Sequence, residues 1–336
     1  MSRTSTLSQT LASRLAEDVG NASLPAGLAA VVLALADCTQ RISVLVGQGA
    51  LGDILGSAER ENIQGEVQKK LDVISNDMMV EGLSDVGPLV ALASEEMDHH
   101  LKLPDSGSAE RYLALFDPLD GSTNIDINAP IGTIFSVLPA PSGTVDDTSF
   151  LQPGHRQLAA GYALYGPATE LVITWGQGVL VFTLHRKKAE YLITKKQLSV
   201  PAVASEYAIN ASNQRFWEPP VQRYIAECQA GSSGPRGRDF NMRWNGSMVG
   251  DVHRVLSRGG IFLYPRDNKL PRKAGRLRLM YEANPMALLA QQAGALATDG
   301  VAPLLDILPV ELHQRVPVVL GSTEEVERVA RYHAEA

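Results

Sequence analysis

Apolar residues recur along this chain with two periods, and the switch between them marks out its parts. Leu28, Val31, Leu35, Ile42 and Leu45 fall at helical spacing within 26–46, and 7–20 also reads as helix. Residues 21–25 break the two, and Gly47-Gln48-Gly49 ends the second. The stretch 47–65 is Gly-rich and charged with no period, a loop long enough to suspect function or mobility. Helical spacing returns over 67–83. Short apolar runs at 89–93 and 112–116 then fit buried strands, and each stops at acids, Glu95-Glu96 and Asp117. The segments 134–138, 159–165, 170–175, 179–185 and 190–194 predict an antiparallel sheet across 131–200, with a hairpin turn at Gly176-Gln177-Gly178. Beyond Pro201, a plausible seam, helices at 219–229, 248–257 and 284–294 alternate with strands at 205–209, 261–264 and 316–320, and an amphipathic helix fills 323–335. The expected organisation is an N-terminal part, 1–200, and a C-terminal α/β part, 201–336.

Bulk composition narrows the class. A chain of 336 residues exceeds what one core usually organises, so two fused domains or one large layered one is expected. The net charge of −7 argues against nucleic acid as the main partner, but not against a small anion held by local cations or metal ions. Cys38 and Cys228 make no metal spacing or disulfide framework, and a reducing cytoplasm is the simplest home. The apolar run at 28–36 is shorter than the ~20 residues that span a bilayer, so no membrane form is expected.

Candidate chemistry lies where the apolar runs end. In Asp117-Pro118-Leu119-Asp120-Gly121-Ser122, two carboxylates three apart face one site if the chain turns sharply, as Pro118 and Gly121 favour. Such hard oxygens suit Mg²⁺ or Mn²⁺ rather than zinc. The amides of Gly121, Ser122 and Thr123 are placed to cradle a phosphate. Ser94-Glu95-Glu96, read alone, is solvated surface charge. Glu282, just before the helix entry Asn284-Pro285, reads alone as an acid near a helix dipole. Asp72, Asn76 and Asp77 share or neighbour one helical face, which by itself is ordinary cap and surface chemistry.

Taken together, these elements resemble the lithium-sensitive, metal-dependent phosphatase superfamily. The segments Leu71 to Asp77, Ile131-Gly132-Thr133-Ile134-Phe135, Gly246-Ser247-Met248-Val249, Asp251-Val252-His253-Arg254, Gly259 to Pro265 and Tyr281 to Ala287 narrow the resemblance to class I fructose-1,6-bisphosphatase, in order, from about residue 10 to 330. That resemblance implies a layered α-β-α-β-α fold, with a mixed or antiparallel N-terminal sheet and a C-terminal α/β layer. It implies hydrolysis of the 1-phosphate of fructose 1,6-bisphosphate, in gluconeogenesis or Calvin-type metabolism. Two or three Mg²⁺ ions, or Mn²⁺, would be held by Glu95, Glu96, Asp117, Asp120, Glu282 and the Leu119 carbonyl. So many acids raise one another's pKa, so metal affinity should fall at low pH. Glu66 and Asp72 would activate the water, beside a lid at about 49–65. Asn210, Asn213, Arg243, Trp244, Tyr264 and Arg276 would hold the second phosphate, Arg278 the scissile one, and Ser247 and Met248 the sugar. Arg243 would come from a neighbouring subunit of a homotetramer.

Three departures from the family pattern matter. Asn213 and Trp244 stand where relatives often carry Tyr, and Arg276 where Lys is common; each keeps a donor for anions. This leaves sedoheptulose 1,7-bisphosphate as an alternative or second substrate. Of the AMP site of animal relatives, Arg111-Tyr112 survives. The run at 21–25 has lost its pattern and Pro139 replaces an Arg, so weak or absent AMP inhibition is expected. A sugar-phosphate sensor and a general inositol-phosphate phosphatase are the remaining alternatives. The first is disfavoured by the complete ligand set, the second by the segments around Met248 and Tyr264.

Overall fold

The fold is described by a computed structural model for residues 9–52, 55–61, 67–269 and 274–336. Seven α-helices occur among the described residues: α1 (Leu11–Gly20), α2 (Ala26–Val46), α3 (Lys70–Ser84), α4 (Pro219–Gln229), α5 (Met248–Arg258), α6 (Asn284–Gln292) and α7 (Thr323–Ala334). Helix α1 starts where the Thr10 hydroxyl accepts from the Ser13 amide, an N-cap. Residues 7 and 8 of the expected helix lie outside the described residues. Proline opens α4, where its missing N–H costs nothing, and Pro285 follows the π turn into α6.

A short antiparallel pair, β1 (Ser57–Glu61) and β2 (Val67–Lys69), occupies part of the region expected to be irregular, so α3 begins only at Lys70. An eight-stranded sheet follows: β3 (Leu89–Ser94), β4 (Leu101–Lys102), β5 (Tyr112–Asp120), β6 (Ile131–Pro139), β7 (Ala159–Tyr165), β8 (Thr169–Thr174), β9 (Leu180–His185) and β10 (Glu190–Lys195). Its order is β10-β9-β8-β7-β6-β5-β3-β4, an antiparallel meander from β5 to β10 with β3 added parallel to β5. The second sheet contains β11 (Glu206–Ala208), β12 (Asn241–Met242), β13 (Ile261–Tyr264), β15 (Leu296–Thr298) and β17 (Val318–Gly321), in the order β12-β11-β13-β17-β15. It is itself mixed, parallel from β12 to β13 and antiparallel beyond. A small pair joins β14 (Leu277–Arg278) to β16 (Arg315–Val316).

Three apolar cores hold five layers together, the middle one spanning both faces of the central helices. Helices α1, α2 and α3 cover one face of the eight-stranded sheet, through Leu28, Val31, Leu35, Ile42 and Leu71. Helices α5 and α6 lie between the two sheets, in a core that joins Leu113 and Ile134 to Val249, Val252 and Phe262 and so runs across residue 200. Helices α4 and α7 cover the outer face of the second sheet. The architecture is therefore α-β-α-β-α. Helix α2 is long and apolar enough to cross a membrane by length and composition, but half of its most apolar stretch is buried in the first core.

One local expectation needs correction. The chain does not turn at Pro118: β5 continues to Asp120, and the turn comes at Gly121, with φ +86°. Ahead of Glu282, the chain is strand only at Leu277–Arg278. It then widens into a π turn, Leu279–Ala283, that feeds α6.

Candidate active site

The paired acids meet because of strand register. Strand β3 is parallel to β5, with Ser94 opposite Phe116, so Glu95 leaves its strand beside Asp117. The Glu95 amide donates to the Phe116 carbonyl at 3.1 Å and holds the junction. Residues three apart on a regular strand point to opposite faces. Here Asp117 pairs with Ile134 and Asp120 with Gly132, so β5 carries one extra residue against β6. That bulge returns Asp117 and Asp120 to the same face. Pro118 has no N–H to lose from the ladder there, and its carbonyl accepts from the Thr133 hydroxyl at 2.8 Å.

Glu282 comes from the π turn, a widened helical turn that recurs at functional sites. Its carboxylate accepts from the Arg278 amide at 2.6 Å. Oxygens of Glu95, Asp117 and Glu282 lie within 4.8 Å of one another. Asp117 and Glu282 are buried, and the Glu95 side chain is 12% exposed. The Arg278 guanidinium approaches Glu95 at 3.2 Å. Asp120 stands beside this trio with a different tether: its two oxygens accept from the Met248 and Val249 amides at the start of α5, at 3.3 and 2.7 Å.

Burial drives the Asp117 pKa well above the usual carboxylate range, helped by Glu95, Asp120, Glu282 and Glu96. Asp120 is pushed up to about 7 by burial, against the pull of the Val249 amide. Glu282 is also pushed up to about 7 by burial, against the nearby Arg278 cation. Asp72, third residue of α3, rises to about 7 by burial, with Glu96 adding to the effect. One Asp72 oxygen accepts from the Lys69 amide at 2.8 Å, while the other, Oδ1, is buried with no hydrogen-bond partner among the described residues. Glu96 adjoins this group, its amide donating to the Ser94 hydroxyl. Glu66 lies outside the described residues.

Crowded, buried, proton-retaining carboxylates are a donor set for a hard divalent cation, which would offset the charge that burial penalises. Gly121 closes the near side. A Cβ there would stand 2.5 Å from the Ser247 Cβ, so only glycine lets the β5 turn meet the start of α5. Ser122 and Thr123 open the following 3₁₀ turn, with Thr123 exposed.

A second cleft lies along the C-terminal sheet. Asn210, Asn213, Trp244 and Tyr264 line it together with Trp217 and Asp267. The Trp244 ring stacks on Phe262 at 6.2 Å and leans on Tyr264. Arg276 bonds both oxygens of Asp267 at 3.2 Å, which fixes its guanidinium beside the cleft. Sequence reasoning missed Trp217 and Asp267; the acid carries no periodic signal and declares itself only through Arg276. Arg243 is exposed and its guanidinium donates to the Met242 carbonyl, so within one chain it does not line the cleft. Ser247 and Met248 lie between the two sites. Trp244 and Val249 are five residues apart, so the chain joins cleft and acids over at most roughly 18 Å.

Family models match both halves of the chain. Residues 6–196 match the fructose-1-6-bisphosphatase N-terminal domain, and residues 200–334 match its C-terminal domain. The chain is 56% identical to the class 1 fructose-1,6-bisphosphatase of Shewanella loihica over 96% of its length and 97% of the relative's. It is also 56% identical to that of Shewanella oneidensis, over 97% and 98%. Its fold matches the crystal structure of Leishmania major fructose-1,6-bisphosphatase in holo form, with a TM-score of 0.89 and 34% identity over 97% of this chain and 99% of that one. With both family models and near-full-length relatives in agreement, the chain belongs to the class 1 fructose-1,6-bisphosphatases.

Proposed function

We propose that this chain hydrolyses fructose 1,6-bisphosphate to fructose 6-phosphate and phosphate, with the acid site cutting the 1-phosphate and the second cleft holding the 6-phosphate. The observation that carries this reading is the pairing of the two sites through the start of α5. Asp120 bonds its first amides, and Trp244, a few residues earlier, lines the cleft. A small sugar with an anion at each end fits that span.

Glu95, Glu96, Asp117, Asp120, Glu282 and the Leu119 carbonyl would hold two or three Mg²⁺, or Mn²⁺. Bound there, the ions supply positive charge to the phosphoryl oxygens and acidify water. Asp72 takes the proton of the attacking water at its unpartnered Oδ1, with Glu66 as its companion; a pKa of about 7 suits a base at neutral pH. The water oxygen bonds phosphorus as the bond from phosphorus to the sugar oxygen breaks. Arg278, held beside Glu95, draws the 1-phosphate in. Gly121, Ser122 and Thr123 face it with backbone amides, and Ser247 and Met248 orient the sugar. Asn210, Asn213, Trp244, Tyr264 and Arg276 bind the far phosphate. We assign Arg243 to the cleft of a neighbouring subunit in a homotetramer, supported by its exposure beside the edge strand β12.

Further parts of the reading rest on less. Division into 1–200 and 201–336 is supported by the gap between the two family-model matches. A reducing cytoplasm suits two free, buried cysteines, and a role in gluconeogenesis or Calvin-type carbon metabolism follows from the reaction. Weak or absent AMP inhibition gains support from Glu110. Its carboxylate already caps α2, accepting from the Gly27 amide at 2.7 Å and from the Tyr112 hydroxyl at 2.9 Å. Arg111 is engaged with the Pro141 and Gly143 carbonyls.

The test is phosphate release from purified protein with Mg²⁺, and kcat/KM on fructose 1,6-bisphosphate against sedoheptulose 1,7-bisphosphate. Preference for the six-carbon sugar is expected. Binding of the sugar bisphosphate with no release would instead mark a sensor.

A further inference from the structure

Helix α5 carries a second polar anchor that the reaction does not use. Five residues past Met248, His253 meets the eight-stranded sheet: its Nδ1 lies 2.9 Å from the Tyr162 hydroxyl on β7, and its Nε2 lies 3.4 Å from the Glu170 carboxylate on β8. Tyr162 is fully buried, and the two rings meet edge to face. One proton arrangement satisfies both contacts. The phenol, its pKa pushed up by burial, donates to Nδ1, and the Nε2 proton faces Glu170. Burial also lowers the His253 pKa, with Glu170 opposing and Lys195 on β10 adding to the effect, so the ring is neutral.

The next residue faces the other way. Arg254 forms two parallel hydrogen bonds of 2.8 Å to Glu206 on β11, in the second sheet. Consecutive side chains thus lash one helix to both sheets. Apolar packing of Val249, Val252, Val255 and Leu256 fixes the spacing of the layers, but it resists sliding along the helix axis less than directional bonds do. At the start of α5 the tolerance is small. The Val249 side chain sits over Gly132, where an added Cβ would stand 2.8 Å away, and the Val249 amide reaches Asp120 at 2.7 Å. A slide of about 1 Å would lengthen that bond beyond hydrogen-bonding range.

We propose that His253 is a positioning residue for the acid site: by fixing α5 against the eight-stranded sheet through Tyr162 and Glu170, it fixes the amides that hold the Asp120 carboxylate. The inference rests on the proposed metal-dependent reading of that site and adds a residue remote from it.

Tyr162→Phe tests this by removing one hydroxyl and keeping the ring. Three quantities are read: Mn²⁺ affinity by calorimetry without substrate, and the half-saturating Mg²⁺ concentration and KM in turnover. Loss of one buried hydrogen bond predicts about a fivefold weakening of both metal constants, with KM for fructose 1,6-bisphosphate within about twofold. His253→Gln, which lacks an acceptor at the Nδ1 position, should behave alike, and His253→Asn, which keeps that acceptor but loses the Glu170 contact, should recover most of the wild-type metal affinity. Should Tyr162→Phe not fold, the two His253 variants carry the same comparison. Unchanged Mn²⁺ affinity in Tyr162→Phe or His253→Gln would overturn the proposal, as would a KM rising in step with the metal constants. Wild-type protein that binds Mn²⁺ but releases no phosphate would defeat the functional reading alone, and calorimetry would still decide the role of His253.

Discussion

The acid site and the second cleft are built on opposite lines. At the ends of β3 and β5, carboxylates are packed together, buried, and pushed toward protonation. In the cleft beside β13, the groups are aromatic rings, amides and one arginine already fixed by Asp267. The first region is unstable as charged protein and gains from a cation. The second is already ordered within one chain, with Arg276 held by Asp267. On the proposed reading, charge stored at the first site would drive metal binding, whereas shape stored at the second would select the ligand.

The largest expected effect separates activity from stability at the acid site. Asp117→Asn should lower kcat by on the order of 10³-fold or more, since a lost ligand removes charge needed at the reacting phosphoryl group. The same change removes a buried charge, so metal-free Asp117→Asn should melt higher than metal-free wild type at pH 8, by roughly 2–4 °C for each kcal/mol gained. A calorimetric scan checks this; a lower melting temperature would mean that Asp117 is not strained without metal. At the cleft the pattern should reverse. Arg276→Ala should raise KM by roughly 10- to 100-fold with kcat nearly unchanged, the mark of lost ground-state binding. It also strands Asp267, which is buried, so the variant should melt lower than wild type with or without Mg²⁺.

That contrast shows how much the sequence revealed. Glu95, Glu96 and Asp117 were legible because buried strands end at them, whereas Glu282 read alone as an acid near a helix dipole and was assigned only through the family resemblance. The bulge that turns Asp117 and Asp120 to one face was not legible, since register against β6 is a long-range property that Asp-Pro-Leu-Asp does not encode alone. Strands β4, β12 and β15 escaped for a related reason: at two or three residues they carry no period, and their neighbours impose them. In the cleft, Arg276 was found through the family pattern, but Asp267 required the fold to bring it alongside.

A pH titration sharpens the comparison with a smaller effect. Asp117, Asp120, Glu282 and Asp72 all hold protons more tightly folded than unfolded. Their contribution to stability is fully present below about pH 4, the unfolded value, and is lost as pH rises through the raised folded values, about 7 for Asp120, Glu282 and Asp72. Metal-free protein should therefore melt lower at pH 8 than at pH 6. Mg²⁺ should raise the melting temperature more at pH 8, because protons and cation compete for the same oxygens. Equal Mg²⁺ shifts at both pH values would argue that the acids are ionised and satisfied without metal. The smallest effect concerns AMP. Millimolar AMP should change the rate less than about twofold, and Arg111→Ala should not alter that, because Glu110 occupies the α2 cap. Tight, cooperative inhibition abolished by Arg111→Ala would refute it.

The most direct test of the central claim is phosphate release from fructose 1,6-bisphosphate by metal-stripped protein before and after addition of Mg²⁺, with the sugar product identified by ³¹P NMR. The account predicts no release until Mg²⁺ is added, then one phosphate per sugar with fructose 6-phosphate left. Release without any divalent ion, or fructose 1-phosphate as product, would contradict it.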